Sequence, residues 1–153
     1  MRKTWTRSRT REPQSGEASM IATITELDDF TRAYLEAILF AETDNADDSG
    51  GEPLDRNYDL WDFDPDSLEQ VIEDCRRFQE ENAADLALYN HPQWNAAELG
   101  GHDFWLTRNG HGADFWDRTE CLPEEARDRL TAAAEKYGER CVGVGDDGNV
   151  YID

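Results

Sequence analysis

The stretch that most constrains the fold is Gly100 to Arg118, GGHDFWLTRNGHGADFWDR. Two aromatic runs, Phe104–Arg108 and Asp114–Asp117, flank Asn109-Gly110-His111-Gly112-Ala113. Aromatic segments joined by Asn-Gly carry the signature of a β-hairpin, so the stretch predicts two paired strands. Arg108 would then face Asp114 as a cross-strand ion pair, Leu106 would face Trp116, and Thr107 would face Phe115.

The elements around it are mainly helical. Leu27, Phe30, Tyr34, Ile38 and Ala41 recur at helical spacing and predict a first helix over about Glu26–Glu42, with Thr25 and Asp28 as a capping box. Asp64 then caps a second helix with Pro65 at its first position. Its stripe of Leu68, Val71, Ile72, Cys75, Phe78, Leu86 and Tyr89 runs to Asn90-His91-Pro92, with a mild break expected at Asn82. A third helix is expected over Pro123–Tyr137, stopped by Gly138. Cys141–Val144 and Val150–Ile152 predict a closing hairpin around Gly145–Asn149. The expected fold class is α+β, a small antiparallel sheet of two hairpins packed against about three helices. Between the first two helices lies a long acidic connection over residues 43–64, whose Leu54, Tyr58, Leu60, Trp61 and Phe63 are expected to pin it to the body.

Residues 1–19 are net basic and unpatterned, so they are expected to be a disordered tail, with Met20 an alternative start; residues 20–153 form the single domain. The whole chain carries a formal charge of -20, with Lys+Arg 15 against Asp+Glu 35. Such a surface repels phosphate backbones and anionic membranes, which argues against direct nucleic-acid or membrane binding and favours a partner with a basic surface. Three readings of the acidity compete: solubility, growth in high salt (lysine occurs only at Lys3 and Lys136), and imitation of nucleic acid by rows of carboxylates. The candidate interaction surface is Asp44, Asp47, Asp48, Glu52, Asp59, Asp62, Glu69 and Glu73.

The signals for chemistry are weaker. His102, Asp103 and His111 are the residue types of an acid–base or metal site. On an extended strand, however, the two histidines would lie roughly 30 Å apart at about 3.3 Å per residue, so no shared metal site is expected. Asp44–Glu52 has the composition of a calcium loop without its register. Gly143–Gly148 spells G-x-G-x-x-G, but it precedes a strand and its acids oppose phosphate. Cys75, Cys121 and Cys141 form no metal or disulfide pattern, which points to a reducing cytoplasm. No apolar run reaches the roughly 18 residues of a membrane span, and no secretory h-region is present. No cofactor is expected.

The Gly100–Arg118 motif resembles that of a family of small proteins common in bacteriophages and mobile elements. The resemblance extends to Tyr34–Ala37, Gly51–Asp55, the Asp66–Ala87 helix and Val144–Gly148, and so covers nearly everything from Leu27 onward. Asp114 stands where that family more often has glycine, which places the Arg108–Asp114 pair outside the family pattern. The resemblance implies an accessory protein and transfers no catalytic residues. The leading expectation is an acidic accessory protein acting by protein–protein contact, in its sharper form an inhibitor that covers a basic host surface. A metal-dependent hydrolase or nucleotide-processing enzyme using His102, Asp103 and His111 is the alternative, and a haloadapted structural domain the third.

Overall fold

The computed structural model describes residues 24–44, 52–111 and 115–153. The order is α1 (Asp29–Ala41), β1 (Thr43–Asp44), β2 (Glu52–Pro53), α2 (Pro65–Glu81), α3 (Ala83–Leu86), α4 (Ala96–Arg108), α5 (Glu124–Glu135), β3 (Val142–Val144) and β4 (Val150–Ile152). Short 3-10 turns occupy Leu54–Arg56, Leu60–Asp62 and Phe115–Asp117. The class is mixed α+β, with β1–β2 and β3–β4 as separate antiparallel pairs.

The central hairpin does not exist. Its first strand is the second half of α4, and Phe115–Asp117 is a 3-10 turn. Three local features decide this. Asn95 caps the helix, its Oδ1 accepting from the Glu98 N–H at 2.7 Å. Gly100 and Gly101, which open the predicted hairpin stretch, let α4 lie against α1. A Cβ at Gly101 would meet the Phe30 carbonyl oxygen at 1.9 Å. Lastly, Asn109-Gly110 closes a helix rather than a hairpin. Gly110 has φ 70, its N–H reaches Thr107 O at 3.2 Å, and the His111 N–H reaches Leu106 O at 2.9 Å. That pair of bonds is a Schellman motif, which requires a left-handed residue just as a tight hairpin turn does.

The Arg108–Asp114 pair is likewise replaced. Arg108 is buried and binds Asp74 at 3.1 Å, while Asp114 lies outside the described residues. Leu106 and Thr107 face the core of a helical fold, although Thr107 still meets its expected partner: its Oγ1 accepts from the Phe115 N–H at 3.2 Å.

The other elements keep close to their patterns. The first helix starts later than expected, at Asp29, because Asp28 and not Thr25 is the cap and accepts from the Thr31 N–H at 2.8 Å. The second helix breaks at Asn82, whose side chain donates back to Phe78 O, and α3 resumes after it. The third helix is slightly shorter than expected. The closing hairpin is present with Val142 opposite Ile152. It docks on the start of α2, where Asp64 N–H donates to Val150 O at 2.8 Å and Ile152 N–H to Ser67 Oγ at 3.0 Å.

One core joins these parts. Phe30, Tyr34, Phe78, Phe104, Trp105 and Phe115 are almost completely buried. Phe78 and Phe104 stack with centroids 4.1 Å apart. Each such ring is worth about 2–3 kcal/mol of burial, so α4 supplies the centre of the core. Leu54 and Phe63 are also buried, with Tyr58, Leu60 and Trp61 packed at its edge, so the aromatics of the acidic connection do anchor it.

Candidate functional site

Most of the polar residues in the central motif hold the fold. Asp103 is fully buried on α4. It accepts from Tyr89 Oη at 2.6 Å and from Arg118 through Nε at 2.8 Å and Nη2 at 2.9 Å. His102 Nδ1 lies 3.0 Å from its Oδ1. Burial and then the Asp103 charge push the Tyr89 phenol well above its ordinary pKa, and the carboxylate holds the Arg118 guanidinium above its own. Arg108 donates to Gly138 O, Tyr34 Oη, Asp74 and Tyr137 O, which ties α4 to α1, α2 and the end of α5. Asn109 donates to Trp105 O and accepts from the Arg140 N–H. His111 Nε2 lies 2.8 Å from Glu42 Oε2, which also accepts from the Trp105 indole N–H at 3.1 Å.

His102 and His111 therefore serve different neighbours. The helix brings them to a separation on the order of 10–15 Å, far less than a strand would, and still too far to share an ion. Among the described residues no group of three His, Cys, Asp or Glu side chains could hold a metal ion. The three cysteines are free.

The acidic candidates are also divided. Glu52 and Glu69 are exposed. Glu73 is exposed and paired with Arg76 at 2.6 Å. Asp59 and Asp62 form a capping box around Leu60–Asp62, and Asp62 is buried, so it offers no contact surface. Asp44 pairs through its backbone with Glu52, while Asp47 and Asp48 lie outside the described residues.

The feature that sequence reasoning missed is a groove between α1 and α4. Its volume is about 530 Å³. Ala33, Glu36, Ala37 and Phe40 come from one face of α1, and Glu98, Leu99 and His102 from α4. Phe40 and Trp94 are 65% and 54% exposed, large apolar side chains left in water at its walls. His91 fixes the turn that carries Trp94: its Nδ1 accepts from the Gln93 N–H at 3.0 Å and the Trp94 N–H at 3.2 Å. Glu36 and Glu98 supply negative charge, and Arg118 is drawn back onto Asp103. The sequence held two signals. Phe40 falls off the apolar stripe of the first helix, and Asn95-Ala-Ala-Glu98 is a helix start.

Two kinds of chemistry are open to this groove. Apolar walls with carboxylates between them suit a ligand that combines an apolar body with positive charge. The His102–Asp103 contact puts the His102 proton on Nδ1, and Nε2 makes no hydrogen bond among the described residues, so it is a candidate proton acceptor. No protein-family model matches the sequence, and no curated protein or solved structure is significantly similar to it. No helix among the described residues is long and apolar enough to cross a membrane.

Proposed function

We propose that this chain is an accessory protein of a phage or mobile element that acts by protein–protein contact, and that the groove between α1 and α4 receives an apolar side chain from a basic partner. The observation that carries this reading is the exposure of Phe40 and Trp94 on a groove that also holds Glu36 and Glu98. Large aromatics left in solvent together, beside charge of one sign, are the usual anchors of a binding surface. The net charge of -20 adds long-range attraction for a basic partner.

A synthetic Arg/Lys-rich peptide with one central leucine tests it, against the same peptide with glycine at that position. Phe40→Ala and Trp94→Ala should each weaken leucine-peptide binding by roughly tenfold or more. Binding should also fall as salt rises. Equal binding of the two peptides, or no effect of either substitution, refutes the groove.

The narrower version, a nucleic-acid mimic that blocks a basic host surface, depends on carboxylates and not on the groove. Among the described candidates it draws mainly on Glu52 and Glu69, since Asp59 and Asp62 serve as caps. Glu52→Gln with Glu69→Gln should weaken such a complex, and Phe40→Ala should leave it intact. A second reading rests on the His102–Asp103 contact at 3.0 Å beside the groove: His102 Nε2 as acid–base in a hydrolytic or nucleotide-processing reaction. Turnover of a phosphate or acyl ester that is abolished by His102→Gln would establish it, and absence of turnover would remove it.

A further inference from the structure

The groove lies on an acidic protein that pairs most of its cations closely. Arg56 lies near Glu52, Arg76 binds Glu73 and Glu80, Arg118 binds Asp103 and Arg129 binds Asp85. Arg32 and Arg127 bind backbone carbonyls instead, and one region gathers several cations. In the cleft between α2 and the end of α5, of about 650 Å³, Arg77, Arg108, Lys136 and Arg140 share the lining with two acids, Asp74 and Glu81.

Arg108 takes Asp74 Oδ2 at 3.1 Å, and Arg140 reaches the same oxygen only at 3.7 Å. Among the described residues Arg77 and Lys136 make no ion pair. Arg77 instead lies over the Tyr137 ring at 5.7 Å. Glu81 is engaged by the Tyr137 hydroxyl at 2.9 Å. Burial and that carboxylate push the Tyr137 phenol up to about 12, so it stays neutral at pH 7. Gathering like charges costs energy, and 35 Asp and Glu residues were available to neutralise them. The negative end of α5 would ordinarily repel an anion here. The backbone N–H groups of Lys136, Tyr137 and Gly138 take up the Ala132, Ala134 and Glu135 carbonyls, and Arg108 adds its positive charge by donating to Tyr137 O and Gly138 O just beyond the helix.

We propose that this cleft is an anion site for the phosphate group of a small phosphorylated molecule, clamped between Arg77 on α2 and Lys136 and Arg140 beyond α5. Guanidinium and ammonium groups approaching from two elements suit a compact dianion with several acceptor oxygens. A polyanion is disfavoured, because its remaining phosphates would lie against the acidic surface. The site is independent of the groove and of the protein-contact reading.

The test is calorimetric titration of the full chain with inorganic phosphate at constant ionic strength, with a ten-nucleotide single-stranded DNA as a second ligand. Saturable phosphate binding is expected, about tenfold weaker in Arg77→Gln and weaker again in Arg77→Gln/Lys136→Gln, and unchanged in Arg56→Gln. Both changed side chains are exposed, and circular dichroism checks that each variant is folded. The DNA should not bind. Absence of saturable phosphate binding overturns the proposal. So does binding that survives in the double variant, which would place the anion elsewhere on the chain, and so does DNA binding tighter than phosphate through the same two residues.

Discussion

Replacing Gly101 by alanine should separate the two helices that form the groove. In an isolated helix this change stabilises by about 1 kcal/mol, because alanine is the better helix former. Here the new Cβ would lie 1.9 Å from the Phe30 carbonyl oxygen and 3.0 Å from the Tyr34 nitrogen, both backbone atoms. Real Cβ contacts do not fall under 3.0 Å, so α1 and α4 must part by about 1.1 Å. A gap of that size forfeits up to about half of the dispersion energy of the atoms facing it. Those atoms include Phe30, Tyr34, Phe104 and Trp105. Overpacking typically costs about 1–3 kcal/mol, and a backbone obstacle that cannot rotate away belongs at or above the top of that range. After the propensity gain, a net loss of about 2–3 kcal/mol is expected. Gly100→Ala is the internal control. Its Cβ would meet side-chain atoms and no backbone, the Phe30 ring at 2.9 Å and Leu86 at 3.1 Å, so a smaller loss of about 1 kcal/mol is expected. Urea unfolding of the three proteins at 25 °C gives the comparison. A Gly101→Ala protein within about 0.5 kcal/mol of the parent would refute close backbone packing of α1 on α4.

Four further outcomes follow from the same structure. Arg108→Ala leaves Asp74, Tyr34 and two carbonyls without their shared donor and should cost about 3–5 kcal/mol in urea unfolding; Arg108→Lys, which cannot reproduce the fork, should recover only part of it. Asp103→Asn should be strongly destabilising, because it removes the charge that faces Arg118 in a buried site, whereas Glu120→Gln at an exposed position should be near neutral. The Asp28 carboxyl is buried enough for desolvation to raise its pKa, yet the hydrogen bonds from Thr31 and Gln79 outweigh this and hold it below the ordinary aspartate value. A lowered folded pKa means the cap stabilises fully above the unfolded value and is lost as pH falls through the folded one, so Asp28→Asn should flatten the acid limb of a stability–pH curve below about pH 4. Tyr89 has the opposite sign: its raised pKa gives stability that is present below the unfolded value near 10 and declines as pH rises past it, and Tyr89→Phe should remove part of that alkaline decline.

Several elements were legible without the fold because their signals are local. Asp64-Pro65 and the stripe from Leu68 to Phe78 specify α2 by capping, proline position and period. Val142–Val144 and Val150–Ile152 with their glycine-rich turn specify a hairpin for the same kind of reason. Asn82 as a break and Cys75 as a core residue were readable too. The central stretch was not, because its local signals have two meanings. Asn109-Gly110 provides a left-handed residue, and both a hairpin turn and a Schellman cap use one. Aromatic residues favour strands only weakly and pack equally well from a helix in the middle of a core.

What the sequence determined by itself was the helical scaffold on either side, the closing hairpin and the acidic surface, all set by short-range pattern and charge. Tertiary structure decided the rest. It turned Gly100 and Gly101 from the start of a hairpin stretch into a helix crossing, because only contact with Phe30 rewards a missing side chain there. It also drew His102 and Asp103 together with Tyr89 and Arg118, sent Arg108 and His111 to other partners up to 74 positions away, and left Phe40 and Trp94 exposed at one groove. Those pairings depend on how helices far apart in the chain meet, and no local period records that.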